Sequence, residues 1–172
     1  MTVTQLLINN LMYDASQFAI PSDNVDAPEL RHPHKFDISA MKKFMVAFGL
    51  LSTSSDLVTF YIMINFFHVD TAHFQTGWFI ESLITQITVV FIVRTKLIPF
   101  IQSRPSRNLV LSVVAVIVLA GLFLFSDLGA KYFSLAIPDW SFIGIIAILA
   151  AIYLLVVEGV KHLFYHAVGD KL

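Results

Sequence analysis

Hydrophobic residues in this chain fall into five long runs, at about residues 3–20, 43–67, 77–93, 109–125 and 140–158, divided by polar or proline-bearing stretches. Runs of this length with few charges predict membrane-spanning helices rather than strands. The first run is polar for its class and would make a poor span by itself; it ends at Pro21, whose ring and missing N–H stop a helix. The second follows a candidate cap at Asp37 or Ser39, and the third stops at Arg94-Thr95-Lys96. The fourth is apolar almost throughout, and the fifth is broken only by small residues such as Gly144, Ala147 and Ala151, so both read as lipid-facing or scaffold helices. The predicted fold is all-α: one polytopic membrane domain over residues 1–172 with about five transmembrane helices.

Three of the runs carry polar residues at helical spacing. Asn10, Asp14 and Gln17 follow i, i+4, i+7, so their oxygens share one face of the first helix. Ser52, Asp56 and Thr59 do the same on the second, and Glu81, Thr85 and Thr88 on the third. Serines and threonines in such places commonly bond backbone carbonyls or neighbouring helices, which is a sufficient reading for most of them. A carboxylate at the centre of a span costs about 2.5 to 3.5 kcal/mol, and nothing cationic near Asp14 in sequence neutralises it. The first stripe is therefore expected to bind an ion, while Asp56 and Glu81 stand open between ion coordination and pairing inside the bundle.

Composition agrees with the pattern. The chain is 57% hydrophobic and 13% charged, with a mean hydropathy of +0.77, which marks an integral membrane protein and suggests no nucleic-acid surface. The net charge of -1 hides a segregation of basic residues. Arg31, Lys35, Lys42 and Lys43 precede the second run, Arg94, Lys96, Arg104 and Arg107 separate the third from the fourth, and Lys161 and Lys171 follow the fifth. Only Lys131 falls on the other side. Basic loops stay cytoplasmic, so the first helix is expected to run from outside to inside. Residues 20–39, with Pro21, Pro28 and Pro33, form a cytoplasmic loop, either a linker or a contact surface for a cytoplasmic domain. Trp78, Tyr132, Phe133 and Trp140 are expected in an outer aromatic belt. The amino terminus shows no secretory signal pattern, and its abrupt start into the first run favours a chain cut from a longer protein.

The absence of cysteine excludes disulfides, thiolate metal sites and a cysteine nucleophile. The intramembrane candidates are hard oxygens, which suit magnesium, calcium, alkali ions or protons better than zinc or copper. His162 and His166 stand at i, i+4 but read as interfacial residues at a helix carboxyl end, and His68 and His73 as surface residues.

Gln5-Leu6-Leu7-Ile8-Asn9-Asn10-Leu11-Met12-Tyr13-Asp14 resembles the sixth membrane helix of P-type ATPases, with its Gln-Leu-Leu start and Asn-Leu-x-x-Asp core. Tyr13-Asp14-Ala15-Ser16-Gln17, Arg31-His32-Pro33-His34-Lys35-Phe36-Asp37, Phe74-Gln75-Thr76-Gly77-Trp78-Phe79-Ile80-Glu81-Ser82-Leu83 and the run from Arg94-Thr95-Lys96-Leu97-Ile98-Pro99 to Arg104 narrow the resemblance to the bacterial magnesium-transporting P-type ATPases. The resemblance extends over essentially the whole chain, as the sixth to tenth helices. It implies that Asn10 and Asp14 are cation ligands and places Tyr13 where calcium pumps have a threonine ligand. On the eighth helix it brings Gln86 near the position of ligands in related pumps, while Glu81 is the carboxylate. Those two are about 140° apart on an ideal helix and are unequal candidates for one ion.

The resemblance further implies magnesium as transported ion, a bacterial inner membrane, and partners in the lipid bilayer and in the remaining helices and cytoplasmic domains of a pump. The phosphorylation motif Asp-Lys-Thr-Gly, the motif Thr-Gly-Glu and a nucleotide-binding domain are absent from these 172 residues, so ATP would act only through domains outside them. Two functions are thus expected to compete: the carboxy-terminal membrane part of an ATP-driven magnesium importer, and an autonomous small membrane protein that binds a partner or regulates transport without catalysis. An ion-coupled secondary carrier would show an internal inverted repeat, and none is evident.

Overall fold

The computed structural model describes residues 2–26, 38–133 and 135–168, and the chain is all-helical among them. The order is α1 (Val3–Gln17), a 3-10 turn (Ile20–Ser22), α2 (Ile38–Asn65), α3 (Thr71–Val93), α4 (Arg107–Leu124), the short α5 (Asp127–Phe133) and α6 (Trp140–Val168). Four of these, α2, α3, α4 and α6, are long and apolar enough to cross a membrane. With 15 residues, α1 falls short of that length.

Local chemistry sets the ends. A capping box opens α1: the Gln5 backbone N–H donates to Thr2 Oγ1 at 3.3 Å, and Gln5 Oε1 accepts from the Thr2 N–H at 2.7 Å. Asp70 caps α3 by accepting from the His73 N–H at 3.1 Å, and Ser106 caps α4 by accepting from the Leu109 N–H at 3.2 Å. Asp70 is held below the usual carboxylate range, first by the His73 ring and then by that backbone N–H. Pro21 lies in the 3-10 turn just past α1, where it needs no helical N–H.

The helices outrun the hydrophobic runs in three places. α2 is described from Ile38, with Ser39 inside it, and α3 starts at Thr71, one residue after the Asp70 cap. α6 continues past Glu158 to Val168. The connection between α4 and α6 contains α5. Arg31, His32, His34, Lys35 and the candidate cap Asp37 lie outside the described residues, as does the side chain of Tyr132. Trp78 is half-buried against Phe60, ring edge to face, whereas Trp140 is exposed.

α3 is the axis. Two-thirds of its most apolar stretch is buried, against 11% for α2 and 28% each for α4 and α6. It packs on α1, α2 and α6, while α4 packs on α1. The core runs along this axis through Phe79, Leu83 and Ile87, with Met63 from α2, Val113 from α4 and Ile146 from α6. Gly77 permits the tightest approach: a Cβ there would lie 2.5 Å from Met63 Sδ and 2.7 Å from Phe142 Cζ. Outward-facing Met45, Leu50, Leu57 and Tyr61 on α2 and Leu111, Val118 and Leu122 on α4 are apolar and exposed, as lipid contact requires.

Candidate cation site

Two polar faces divide α1. Gln5, Asn9 and Ser16 are buried, and their side chains reach across to other elements or back to their own helix. Gln5 Nε2 donates to Phe133 O at 2.5 Å and to Gln75 Oε1 at 3.2 Å, and Asn9 Nδ2 donates to Phe79 O at 3.3 Å. Ser16 donates to Tyr13 O at 2.6 Å. From α4, Ser112 donates to Ala15 O and Ser16 O at 3.2 and 3.1 Å, satisfying carbonyls at the α1 carboxyl end.

Asn10 and Asp14 are on the other face and are exposed, and Gln17 is half-exposed. At 100° per residue their stripe is centred roughly 130° from the Gln5, Asn9 and Ser16 stripe. The carboxylate and the amide carbonyl one turn before it thus point away from α3 and α4. Tyr13 is half-buried on the flank of this face and packs against the core.

The expected ligands on α3 sit elsewhere. Glu81 is 1% exposed, and its Oε2 is buried with no hydrogen-bond partner among the described residues. Gln86 donates from Nε2 to Ser82 Oγ at 3.2 Å, one turn back on its own helix. Among the described residues, then, the structure brings Asn10, Asp14 and Tyr13 together on α1 and keeps Glu81 and Gln86 apart from them. Thr53, Ser54, Thr85 and Thr88 hydrogen-bond backbone carbonyls of the preceding turn, which accounts for their polarity.

Two polar assemblies escaped the sequence reading. At the α1 carboxyl end, Asp23 pairs with Arg94 and accepts from the Ser106 N–H at 2.6 Å. Asp26 accepts from Thr95 Oγ1 and, at 2.5 Å, from Ser103 Oγ, which itself accepts from Arg94 Nη2 at 2.8 Å. Burial pushes the Asp23 carboxyl up, but the bonds from Ser106, Arg94 and Asn24 and the Arg94 charge outweigh it and hold the group below the usual carboxylate range. The acidic residues of this stretch were visible; their partners, 69 to 83 positions on, were not.

Lys161, counted from sequence as a loop charge, lies inside α6 and is 1% exposed. Its ammonium donates to the carbonyls of Ile92, Thr95 and Leu97 at 3.3, 3.3 and 2.9 Å, and its contact with Glu158 Oε1 at 2.9 Å is ionic, all three protons being engaged.

Chemically, Asn10 and Asp14 offer a hard cation two oxygen donors on an outward face. A magnesium ion takes six oxygens at octahedral geometry, several of them from water, so two donors are part of a shell. Among the described residues no group of three or more His, Cys, Asp or Glu converges on a metal position.

Residues 1–163 match the family model described as cation transporting ATPase, C-terminus. The chain is 38% identical over 168 residues, 95% of its length, to the "Magnesium-transporting ATPase, P-type 1" of Escherichia coli strain K12. It is also 38% identical over 175 residues, 99% of its length, to a protein of that name from Salmonella typhimurium strain LT2. It spans about a fifth of each of these relatives, 19% in both cases. The chain is a multi-pass membrane protein and belongs to the carboxy-terminal membrane region of the P-type cation-transporting ATPases.

Proposed function

We propose that this chain is the carboxy-terminal membrane part of a P-type pump that imports magnesium across a bacterial inner membrane, and that α1 supplies Asn10 and Asp14 as part of the cation site. The observation that carries the reading is the outward face of α1. A carboxylate and an amide one turn apart stand exposed on a helix of an otherwise lipid-suited bundle. Facing lipid there would cost a few kcal/mol, so further helices must cover them, and oxygen donors so covered suit a hard cation. Tyr13 flanks the pair. Glu81 and Gln86 are left out of this ligand set because they sit apart from it on α3. The name of the relatives supplies magnesium as the cargo.

The remaining helices form the scaffold that α1 leans on, with α3 as its axis. ATP chemistry belongs to cytoplasmic domains of the full protein, where phosphorylation would split the reaction into two steps and change access to the cation.

Asp14→Asn in the full-length protein tests the reading. It keeps the shape and removes the charge, so magnesium-stimulated turnover is expected to be lost while the phosphorylation chemistry survives. Asn10→Ala is expected to raise the magnesium concentration needed for half-maximal turnover. Unaltered magnesium uptake by Asp14→Asn overturns the assignment.

A further inference from the structure

Phe100, in the connection from α3 to α4, has a φ of 64°, in the left-handed region that favours glycine. A bulky side chain there is strained, and such strain persists only where the surrounding structure fixes it. Here it does. The Phe100 N–H donates to Ser103 O at 2.9 Å, the Gln102 N–H to Ile98 O at 3.0 Å, and the Ile98 N–H to Gln102 Oε1 at 3.2 Å. Ser103 is fastened in turn to the segment after α1, its Oγ donating to Asp26 at 2.5 Å. Glycine would hold the same turn at less cost, so the phenylalanine is kept for its side chain.

That side chain lies at the level of the spans. Its ring centroid is 5.0 Å from that of Phe91, and with Thr88, Phe91, Leu154 and Leu155 it lines a cleft of about 400 Å³ between the turn, α3 and α6. At 1.5 Å per residue Phe91 and Thr88 are about 3 and 7.5 Å before the end of α3, so the turn folds back along the flank of the helix. Phe100 is nevertheless 56% exposed, and Ile101 beside it 78%.

Charge completes the pattern. From Arg94 to Arg107 the sequence has no acidic residue; Arg94 is neutralised by Asp23, while Arg104 and Arg107 are exposed. An apolar tip held a few ångströms below the helix end, with cations behind it, is complementary to the boundary between acyl chains and lipid phosphates. A cytoplasmic domain would approach from water, whereas Phe100 leans on residues of the spans.

We propose that the turn at 98–103 is a membrane-interface wedge. Phe100 and Ile101 insert among the acyl chains on the side that the basic residues mark as cytoplasmic, and Arg104 and Arg107 pair with lipid phosphates. Through Ser103 the wedge holds the segment carrying Asp23 and Asp26 at a fixed depth. Neither the Asn10 and Asp14 stripe nor the identity of the cargo enters.

The chain has no cysteine, so a single Ile101→Cys can carry a nitroxide label in the full-length protein, with any cysteine outside these residues replaced by serine. In vesicles of phosphatidylethanolamine and phosphatidylglycerol, collisions with oxygen, which partitions into lipid, are compared with collisions with a water-soluble nickel chelate; Leu122→Cys, on the exposed face of α4, is the lipid reference. Oxygen is expected to collide with the Ile101 label several-fold more often than the chelate does, as it does at Leu122. Phe100→Gly keeps the turn and removes the ring, and is expected to move the Ile101 label toward the chelate. A chelate rate above the oxygen rate at Ile101 overturns the proposal, since the tip is then in water. So do low rates for both with an immobilised spectrum, which would place the tip against another protein domain, or an Ile101 ratio unchanged by Phe100→Gly, which would take the ring out of the wedge.

Discussion

Lys161 shows what one side chain does for this bundle. The last carbonyls of a helix lack intrahelical donors, and the ammonium of Lys161 bonds Ile92 O in the last turn of α3 together with Thr95 O and Leu97 O of the segment that follows it. Glu158, one turn away, balances its charge. Lys161→Met retains the length and apolar stem but leaves three carbonyls and a carboxylate without their cation. A loss of about 3–5 kcal/mol is expected, as for breaking a buried pair, read as a lower midpoint of thermal unfolding in detergent. Adding Glu158→Gln removes the stranded charge, so the double variant is expected to be more stable than the sum of the two single losses. Simple additivity would mean that the two residues act independently. The role was illegible in sequence because Lys161 follows the most apolar part of its run and reads as the first charge of a loop; only the extension of α6 past Glu158 brings it beneath the end of α3. Asn10 and Asp14 were legible, since their spacing alone puts them on one face. That Asn9, their neighbour, turns inward to Phe79 depends on where α3 lies, which no spacing within α1 records.

Among the elements, α3 sets the packing of the others, and its tightest point is Gly77. Replacing a helical glycine by alanine usually helps, by about 0.8–1.0 kcal/mol of helix propensity. At Gly144 a Cβ meets nothing within 4 Å, so Gly144→Ala is expected to be neutral or mildly stabilising. At Gly77 the same methyl would press on Met63 and Phe142. Gly77→Ala is therefore expected to lower stability by roughly 1–3 kcal/mol despite the propensity gain, and shortening Met63 to alanine in the same protein to restore part of it. Equal unfolding midpoints for the two alanine variants would show that α2 and α6 move apart without cost. The hydrophobic runs revealed the long elements because twenty apolar residues need a bilayer or a core. They missed the first turns of α3, where Ala72, His73 and Gln75 dilute the hydropathy and only the Asp70 cap marks the start. They also missed α5, which is too short for a hydropathy signal.

For the whole molecule, one end of the bundle is tied by charge. The segment after α1 docks Asp23 and Asp26 onto the loop between α3 and α4, so the helix bearing Asn10 and Asp14 is tied to the central helix beyond its own packing. If the chain is part of a pump, this clasp is placed to transmit movement of the α1 carboxyl end to the scaffold. Arg94 and Asp23 are both almost fully buried, and the Asp23 carboxyl lies below its ordinary range. A carboxylate with a lowered folded value contributes stability that is complete above its unfolded value of about 3.9 and is lost as pH falls through the folded one. The midpoint of thermal unfolding in detergent is accordingly expected to hold as pH is lowered toward about 4 and to drop below it. Asp23→Asn keeps the shape but strands Arg94, with an expected loss on the order of 3 kcal/mol at neutral pH. As pH falls through the lowered value of the folded carboxyl the two proteins should converge, since the wild-type group is then protonated as well. A constant difference at every pH would assign the loss to altered packing, and no difference at neutral pH would show that the clasp does not hold the two segments together.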